Sequence, residues 1–387
     1  MFKIKTMNAI SPFGIERLKK HGCEVGADID APDGMLIRSA NLHEYDFGEN
    51  LLAVARAGSG FNNIPVEECA EKGIVVFNTP GANAQAVKEQ EICSMVMASR
   101  DVIGSVEWVK TLAGKGEEIP SLVEKGKSNF AGPELLGKTL GVIGLGAIGA
   151  QLANTALHLG MNVYGHDPYI TVDAAWRMSK SVVKAPARED IYKNCDYISL
   201  HVPSTPETRG MINKATIAQM KDGVRILNLA RADLVVADDI KEALKSGKVA
   251  SYVTDFPTPE TVGVPGIVTI PHLGASTPES EDNCAVMAAA ELKDFLETGN
   301  IHNSVNYPDA VIPHVGETRI CMFHKNIPNM LAQITSVLSE KKINVENLVN
   351  RSKKDNAYTL IEINGKLSEE DYKALCGIES VVRVTVI

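Results

Sequence analysis

A chain of 387 residues is long for one hydrophobic core and predicts two or three domains. Its 44% hydrophobic and 22% charged residues are those of a globular protein, which excludes a disordered chain or a coiled coil. The formal net charge of -9 argues against nucleic acid and anionic membranes as partners, so an anionic ligand must be held by a local group of cations.

Taken in order, the first ninety or so residues alternate short apolar strands (KIKTMNAI, GMLIRSA, LLAVARAG, GIVVFNTP) with helical stretches, a rhythm that implies a parallel sheet. The N-terminus lacks the apolar stretch of a signal peptide. Residues 89–110 read as a helix that links this series to a second one: TLGVIG, MNVYGHD, YISLHVP, VRILNLA, VASYVTD and IVTIPH. These strands are apolar almost throughout, as expected of parallel strands covered on both faces. The uncharged run between residues 139 and 166 reads as strand, turn and helix rather than as a membrane span, because glycines and polar residues interrupt it. An alanine-rich helix over 283–296 is expected to return to the first lobe. Residues 299–317 (GNIHNSVNYPDAVIPHVGE) carry a linker composition. The last seventy residues read βαββαβ, a ferredoxin-like module, with Ser368 as a helix cap. Seven scattered cysteines, with no Cys-x-x-Cys pair and no paired His spacing, suit reduced thiols in a cytoplasmic protein without a metal site.

The chemistry begins at Gly144-Leu145-Gly146-Ala147-Ile148-Gly149, which follows an apolar strand and opens a helix with Ile148, Leu152, Ala156 and Leu159 on its apolar face. Gly144 permits the tight turn, Gly146 lets a pyrophosphate approach the backbone, and Gly149 lets the helix lie close to the strand. The helix N-terminus then presents unpaired N–H groups to the anion. Asp167 follows Gly149 by 18 residues, where a carboxylate accepts the ribose hydroxyls and repels a 2′-phosphate. That favours NAD over NADP.

Three segments end strands of the same lobe: Asn228-Leu229-Ala230-Arg231, Asp255-Phe256-Pro257-Thr258-Pro259-Glu260, and Pro271-His272 followed by LGAST. In an open α/β sheet ligands sit beyond the strand C-termini, so the three converge. Oxidising a 2-hydroxy acid needs a base, which His272 supplies near neutrality, and a cation for the carboxylate, which Arg231 supplies as a planar fork. Glu260 would fix the imidazole's tautomer. Singly, each has an ordinary reading as a surface or strand-end residue; together beside a dinucleotide turn they read as catalytic.

The blocks ARAGSGFNNI, SLHVPSTPETRGMIN, NLARADLV and PHLGAST, in this order and spacing, resemble the D-2-hydroxyacid dehydrogenase family over almost the whole chain. The resemblance implies an α/β fold of two doubly wound parallel-sheet lobes: a flavodoxin-like substrate lobe over residues 1–94 and 278–310, and a Rossmann cofactor lobe over 95–277. It makes Arg231, Glu260 and His272 the catalytic set. It places Ser59, Gly144, Gly146, Ala147, Ile148, Gly149, Asp167, Val202, Ala230 and Asp255 at the cofactor and Arg38, Arg56 and Asn83 at the substrate. Three positions depart from the family: Ala232-Asp233 replace Gly-Gly, TDFPTPE replaces an Asp-Val-Phe spelling, and Lys88 stands where a small residue is usual.

The linker and the module over 318–387, which resembles an ACT regulatory domain, point to the family branch that oxidises 3-phospho-D-glycerate to 3-phosphohydroxypyruvate in phosphorylated L-serine biosynthesis. This implies 3-phosphoglycerate as substrate and L-serine as effector at His324, Asn326 and Asn344, with Asn329 where glycine is common. It also implies a homodimer or homotetramer. Rival readings are a glyoxylate or hydroxypyruvate reductase and, from another class, a dinucleotide-sensing protein like the family's corepressors. Residues 318–387 hold ten basic and eight acidic side chains, so the net negative charge lies on residues 1–317, where two anionic ligands would bind.

Overall fold

Five short parallel strands, in the order Glu24–Gly26, Lys3–Met7, Gly34–Ile37, Ala53–Arg56 and Val75–Phe77, form the sheet of the first lobe. This is the 2-1-3-4-5 order of flavodoxin-like folds. The computed structural model describes Met1–Ile387 apart from the side chain of Asp173. Its contacts divide the chain into two units, Met1–Asn83 with Pro278–Ile387 and Ala84–Thr277. The first crossing thus falls at the start of a helix, Ala84–Ser99, and not at residue 94 inside it.

In the first unit the helix Pro278–Thr298 packs on Pro12–Lys20 so closely that a Cβ on Gly14 would lie 2.6 Å from the Ala285 carbonyl oxygen. The C-terminal module belongs to this same unit. Its antiparallel sheet runs Val345–Lys353, Asn356–Ile363, Thr318–Lys325, Val381–Val386, with helices Met330–Glu340 and Glu369–Cys376 between strands. Strand residues alternate between faces. Ile320, Met322, Ile361 and Ile363 pack with helix residues Ile334, Leu338 and Leu375. Cys321, Phe323, Tyr358 and Leu360 join the core of the lobe instead. There the Phe323 ring centroid lies 4.9 Å from Tyr307 and 6.3 Å from Phe295, which is 5.7 Å from Phe77.

Residues 299–317, whose composition reads as a linker, are tied down. Asn306 donates to the Ile74 carbonyl (2.8 Å) and accepts from the Val76 N–H (3.0 Å), and the Tyr307 hydroxyl donates to the Ala70 carbonyl (2.7 Å). Asparagine fits here because its amide pairs with both backbone groups of an edge strand. Arg319, fully buried, pairs with the equally buried Glu362 and donates to the carbonyls of Thr298 and Ile312, while Glu362 accepts from the Gly316 N–H (2.8 Å).

The second unit holds seven parallel strands in the order Ile267–Thr269, Val249–Thr254, Val224–Asn228, Tyr197–Leu200, Thr139–Ile143, Asn162–His166, Val183–Lys184. Strand order reverses between Thr139–Ile143 and Tyr197–Leu200, which marks the ligand crevice of such sheets. The single helix expected over 89–110 is two, Ala84–Ser99 and Val102–Lys110. Asp101 caps the second by accepting from the Gly104 N–H at 2.8 Å. No helix among the described residues is long and apolar enough to cross a membrane.

Removing one partner of a buried ion pair strands the other. Glu362→Ala should therefore cost roughly 3–5 kcal/mol of stability in urea unfolding, and Arg319→Met combined with Glu362→Leu should recover most of that loss.

Candidate active site

Gly144 ends the strand Thr139–Ile143 with φ +95°, and a Cβ there would lie 2.7 Å from the His201 carbonyl oxygen across the strand reversal. Only glycine meets both conditions. The helix Ala147–His158 follows, and a Cβ on Gly149 would sit 2.0 Å from the Gly144 carbonyl oxygen, so helix and turn are in backbone contact. Gly146, by contrast, has no atom within 4 Å of a Cβ position, and no side chain caps the helix start there. The buried helix residues are Gly149, Ala150, Leu152, Ala153 and Ala156; Leu159, expected with them, is 39% exposed at the helix C-cap. Asp167 accepts from the Leu145 N–H through one oxygen and from the Tyr169 N–H through the other, each at 2.8 Å. An uncapped helix start beside an open Gly146, with a carboxylate at the next strand end, fits a dinucleotide. Gly146, Ala147 and Ile148 would meet its pyrophosphate and Asp167 its ribose. Val202 borders this turn, its side chain 3.1 Å from the Gly144 Cβ position.

Beyond Val224–Asn228, the buried Asn228 amide shapes the loop that carries Arg231. It donates to the Arg231 carbonyl (2.8 Å) and the Tyr252 hydroxyl (3.1 Å), and accepts from the N–H groups of Ala230 (3.2 Å) and Arg231 (3.3 Å). The exposed Arg231 guanidinium lies 5.9 Å from the Phe256 ring, and the His272 ring lies 4.7 Å from the same ring. Phe256 therefore links the two chemical groups, through a cation–π contact to one and a ring contact to the other. Nothing in the sequence marks it except its place after a strand-end acid. His272 is held at φ +46°, a left-handed conformation rare for a side chain of this size, by N–H contacts to the Asp255 and Ile270 carbonyls at 3.0 Å each. Such strain is a pointer to function.

The carboxyl that faces His272 is Asp255. Burial raises its pKa above the usual carboxylate range, opposed by the charge of His272, the Gly274 N–H and the charge of Arg231. The expected pairing of Glu260 with His272 does not form among the described residues. Thr258 and Thr261 close a turn, with the Thr258 N–H donating to the Thr261 hydroxyl at 2.9 Å, and this turns Glu260 to solvent. There the Thr258 hydroxyl and its own N–H hold its carboxyl below the usual range, with Lys241 and Asp238 as its charged neighbours.

The first unit carries the remaining candidates. Arg38 and Arg56 end adjacent parallel strands, paired at Ile37 and Arg56. Arg56 is half-buried and bonded to Asn63 (3.0 Å). Burial lowers its pKa most, and the Arg38 charge lowers it further. Two cations that oppose each other in this way are relieved by an anion. Arg38 also pairs with Glu281 at 2.7 Å, and Ser59 bonds Asn83 at 3.3 Å. Ser59 thus belongs to this unit, not to the dinucleotide-binding one.

In the C-terminal module His324 is turned inward. It is 2% exposed, its ring nitrogens 2.9 Å from the Lys325 carbonyl and the Thr359 hydroxyl, so neither is open to an effector. Asn326 donates to the Lys354 carbonyl and Asn344 to Glu346. The three therefore do not converge. Asn329 precedes the helix with φ +73°, the conformation for which glycine is usual.

Comparison with known proteins adds the lineage. Residues 92–274 match the model of the D-isomer specific 2-hydroxyacid dehydrogenase, NAD binding domain. The D-3-phosphoglycerate dehydrogenase of Archaeoglobus fulgidus is 32% identical over 327 residues, 79% of this chain but 59% of that protein. The chain thus spans less than two thirds of that relative's length. The hydroxypyruvate reductase of Thermotoga maritima is 38% identical over 279 residues, 69% of this chain and 85% of that protein. Among solved structures, an NAD+-bound 3-phosphoglycerate dehydrogenase of Entamoeba histolytica is similar with a TM-score of 0.60 at 26% identity, covering 79% of this chain and 98% of that one.

The glycines separate fold from ligand. Gly149→Ala should lower the melting temperature sharply, because its methyl meets a backbone carbonyl. Gly146→Ala should leave melting within about 1 kcal/mol of the parent while weakening NADH binding in a fluorescence titration.

Proposed function

The chain belongs to the D-isomer specific 2-hydroxyacid dehydrogenases, and from that premise we propose that it oxidises 3-phospho-D-glycerate to 3-phosphohydroxypyruvate with NAD as acceptor. The observation that carries the reading is the pair Arg231 and His272, both in contact with the Phe256 ring just beyond strand ends of the sheet that carries the glycine turn. The nicotinamide of a bound NAD would supply the hydride acceptor. Arg231 would hold the substrate carboxylate and polarise the carbon–oxygen bond as it becomes a carbonyl, and His272 would take the hydroxyl proton. Asp255 stands by to stabilise the imidazolium. Glu260 could share that task only after its turn reorients. Arg38 and Arg56 would meet the phosphate, offsetting locally the chain's negative charge.

A second reading, reduction of hydroxypyruvate or glyoxylate, is favoured by the wide coverage of the Thermotoga maritima relative. The inward His324 weighs against serine binding as first expected, although the module's βαββαβ order suits an effector domain. The helix Val102–Lys110 buries none of its residues and exposes Val102, Ile103, Val106 and Val109, which supports a homodimer in solution. A cytoplasmic setting accords with the free thiols.

NADH formation from 3-phosphoglycerate, compared with NADH oxidation by hydroxypyruvate and by glyoxylate, separates the readings. A preference for the unphosphorylated acids by kcat/KM selects the second. With 3-phosphoglycerate, His272→Ala should lower kcat roughly 10²–10⁴-fold with NADH still bound. Arg38→Ala should raise KM for the phosphorylated substrate alone.

A further inference from the structure

Beneath the strand ends of the second unit lies a set of buried polar groups that the proposed chemistry leaves unused. Glu91, on the helix Ala84–Ser99, has no exposed surface. One of its oxygens, Oε2, lies 3.1 Å from the hydroxyl of Ser199, on the strand Tyr197–Leu200, and that hydroxyl lies 2.9 Å from His201 Nε2. The other oxygen, Oε1, has no partner among the described residues, and neither has the buried Oδ1 of Asp255. The groups that act on Glu91 are Ser199 from one strand and the Asp255 carboxyl from the end of another; among the described residues no cation acts on it. The His201 backbone borders the dinucleotide turn: a Cβ on Gly144 would lie 2.7 Å from its carbonyl oxygen.

A carboxyl buried from solvent, without a counter-charge and beside a second carboxyl, keeps its proton. Burial accordingly pushes Glu91 up to about 8 and His201 down to about 4, so both are neutral near pH 7. Ser199 has one proton for two contacts. Both are hydrogen bonds either when Ser199 donates to Glu91 and His201 Nε2–H donates to Ser199, or when a protonated Glu91 donates to Ser199 and Ser199 donates to His201; burial beside Asp255 favours the second.

Resting on the dinucleotide-binding reading above, we propose that Glu91 is a positioning residue of that site, held as a neutral acid. It passes a hydrogen bond through Ser199 to His201 at the glycine turn, and leaves Asp255 to carry the negative charge that faces Arg231 and His272. An ionised Glu91 would reverse the relay, with Ser199 donating to the carboxylate and His201 Nε2–H donating to Ser199, and would repel Asp255. Because the folded chain keeps this proton above its ordinary value of 4.5, Glu91 lowers stability progressively as pH rises from about 4.5 to about 8, with no further loss above that.

The test compares the full chain with Glu91→Gln, which is neutral at every pH and keeps a donor and an acceptor. NADH affinity is titrated by fluorescence from about pH 6 to about pH 9.5, with melting curves at each pH. The wild type should lose NADH affinity several-fold above about pH 8, whereas E91Q should stay within about twofold of its pH 7 value. E91Q should also lack the fall in stability between about pH 4.5 and about 8 that Glu91 causes. In infrared difference spectra the wild type should show a protonated-carboxyl band that titrates near the same pH and is missing in E91Q. An alkaline loss of NADH that persists in E91Q, or the absence of that band at pH 7, overturns the role. So does a fall in NADH affinity of more than about tenfold in E91Q at pH 7 with unchanged melting. If wild type and variant both bind no NADH, the dinucleotide reading itself falls and takes this role with it.

Discussion

The contact that governs the cofactor unit is one that admits no side chain, the approach of Gly149 to the Gly144 carbonyl. It seats the helix Ala147–His158 on the strand it follows, and so aims the helix's first N–H groups into the place where strand order reverses. The turn has a second anchor in Asp167, which accepts from the Leu145 N–H. The neighbouring strands depend on the same reversal. They end at Asn228, Thr254 and Thr269, and the residues just beyond them are the loop of Arg231, the pair Asp255 and Phe256, and His272.

Charge within the molecule is organised against its own sum. The chain is acidic overall, yet each place proposed to receive an anion carries a specific positive element: an uncapped helix start, a guanidinium over an aromatic ring, and two arginines at adjacent strand ends, one of them half-buried. Cations that are crowded or stacked bind an anion more sharply than solvated ones, because part of their desolvation has been met in folding. The acidic remainder repels polyanions without weakening these sites, since screening confines its reach to about 8–10 Å at physiological salt.

Much of this was legible in the sequence because it rests on local rules. Glycines at fixed spacing announce a turn, apolar runs announce covered strands, and Ser368 caps its helix by accepting from the Asp371 N–H as its spacing suggests. What escaped depends on neighbours distant in sequence. The break near residue 100 follows from Asp101 finding a free N–H, and the outward turn of Glu260 follows from two threonines closing on each other. His324 looked like a ligand reader by its place before a helix, but the strand partner Thr359 draws its ring inward. Glu91 is an acidic residue on a buried helix face of alanines, Val87, Met95 and two serines, a signal that periodicity registers only as noise; its meaning needs Ser199, 108 residues away.

The seam between the C-terminal module and the lobe beneath it changes where this protein can be divided. A stretch rich in Gly, Asn and Pro invites a cut, but here it is stitched to the edge strand Val75–Phe77 and overlaid by Phe323 and Tyr358. Cutting the chain at residue 317 would strip cover from Phe77, Phe295 and Tyr307 together, leaving an oily surface on the shorter piece and an equally oily sheet on the other. The module is therefore less an appendage than a wall shared with the lobe. The two are joined through the strand Thr318–Lys325, whose alternate residues belong to two different cores.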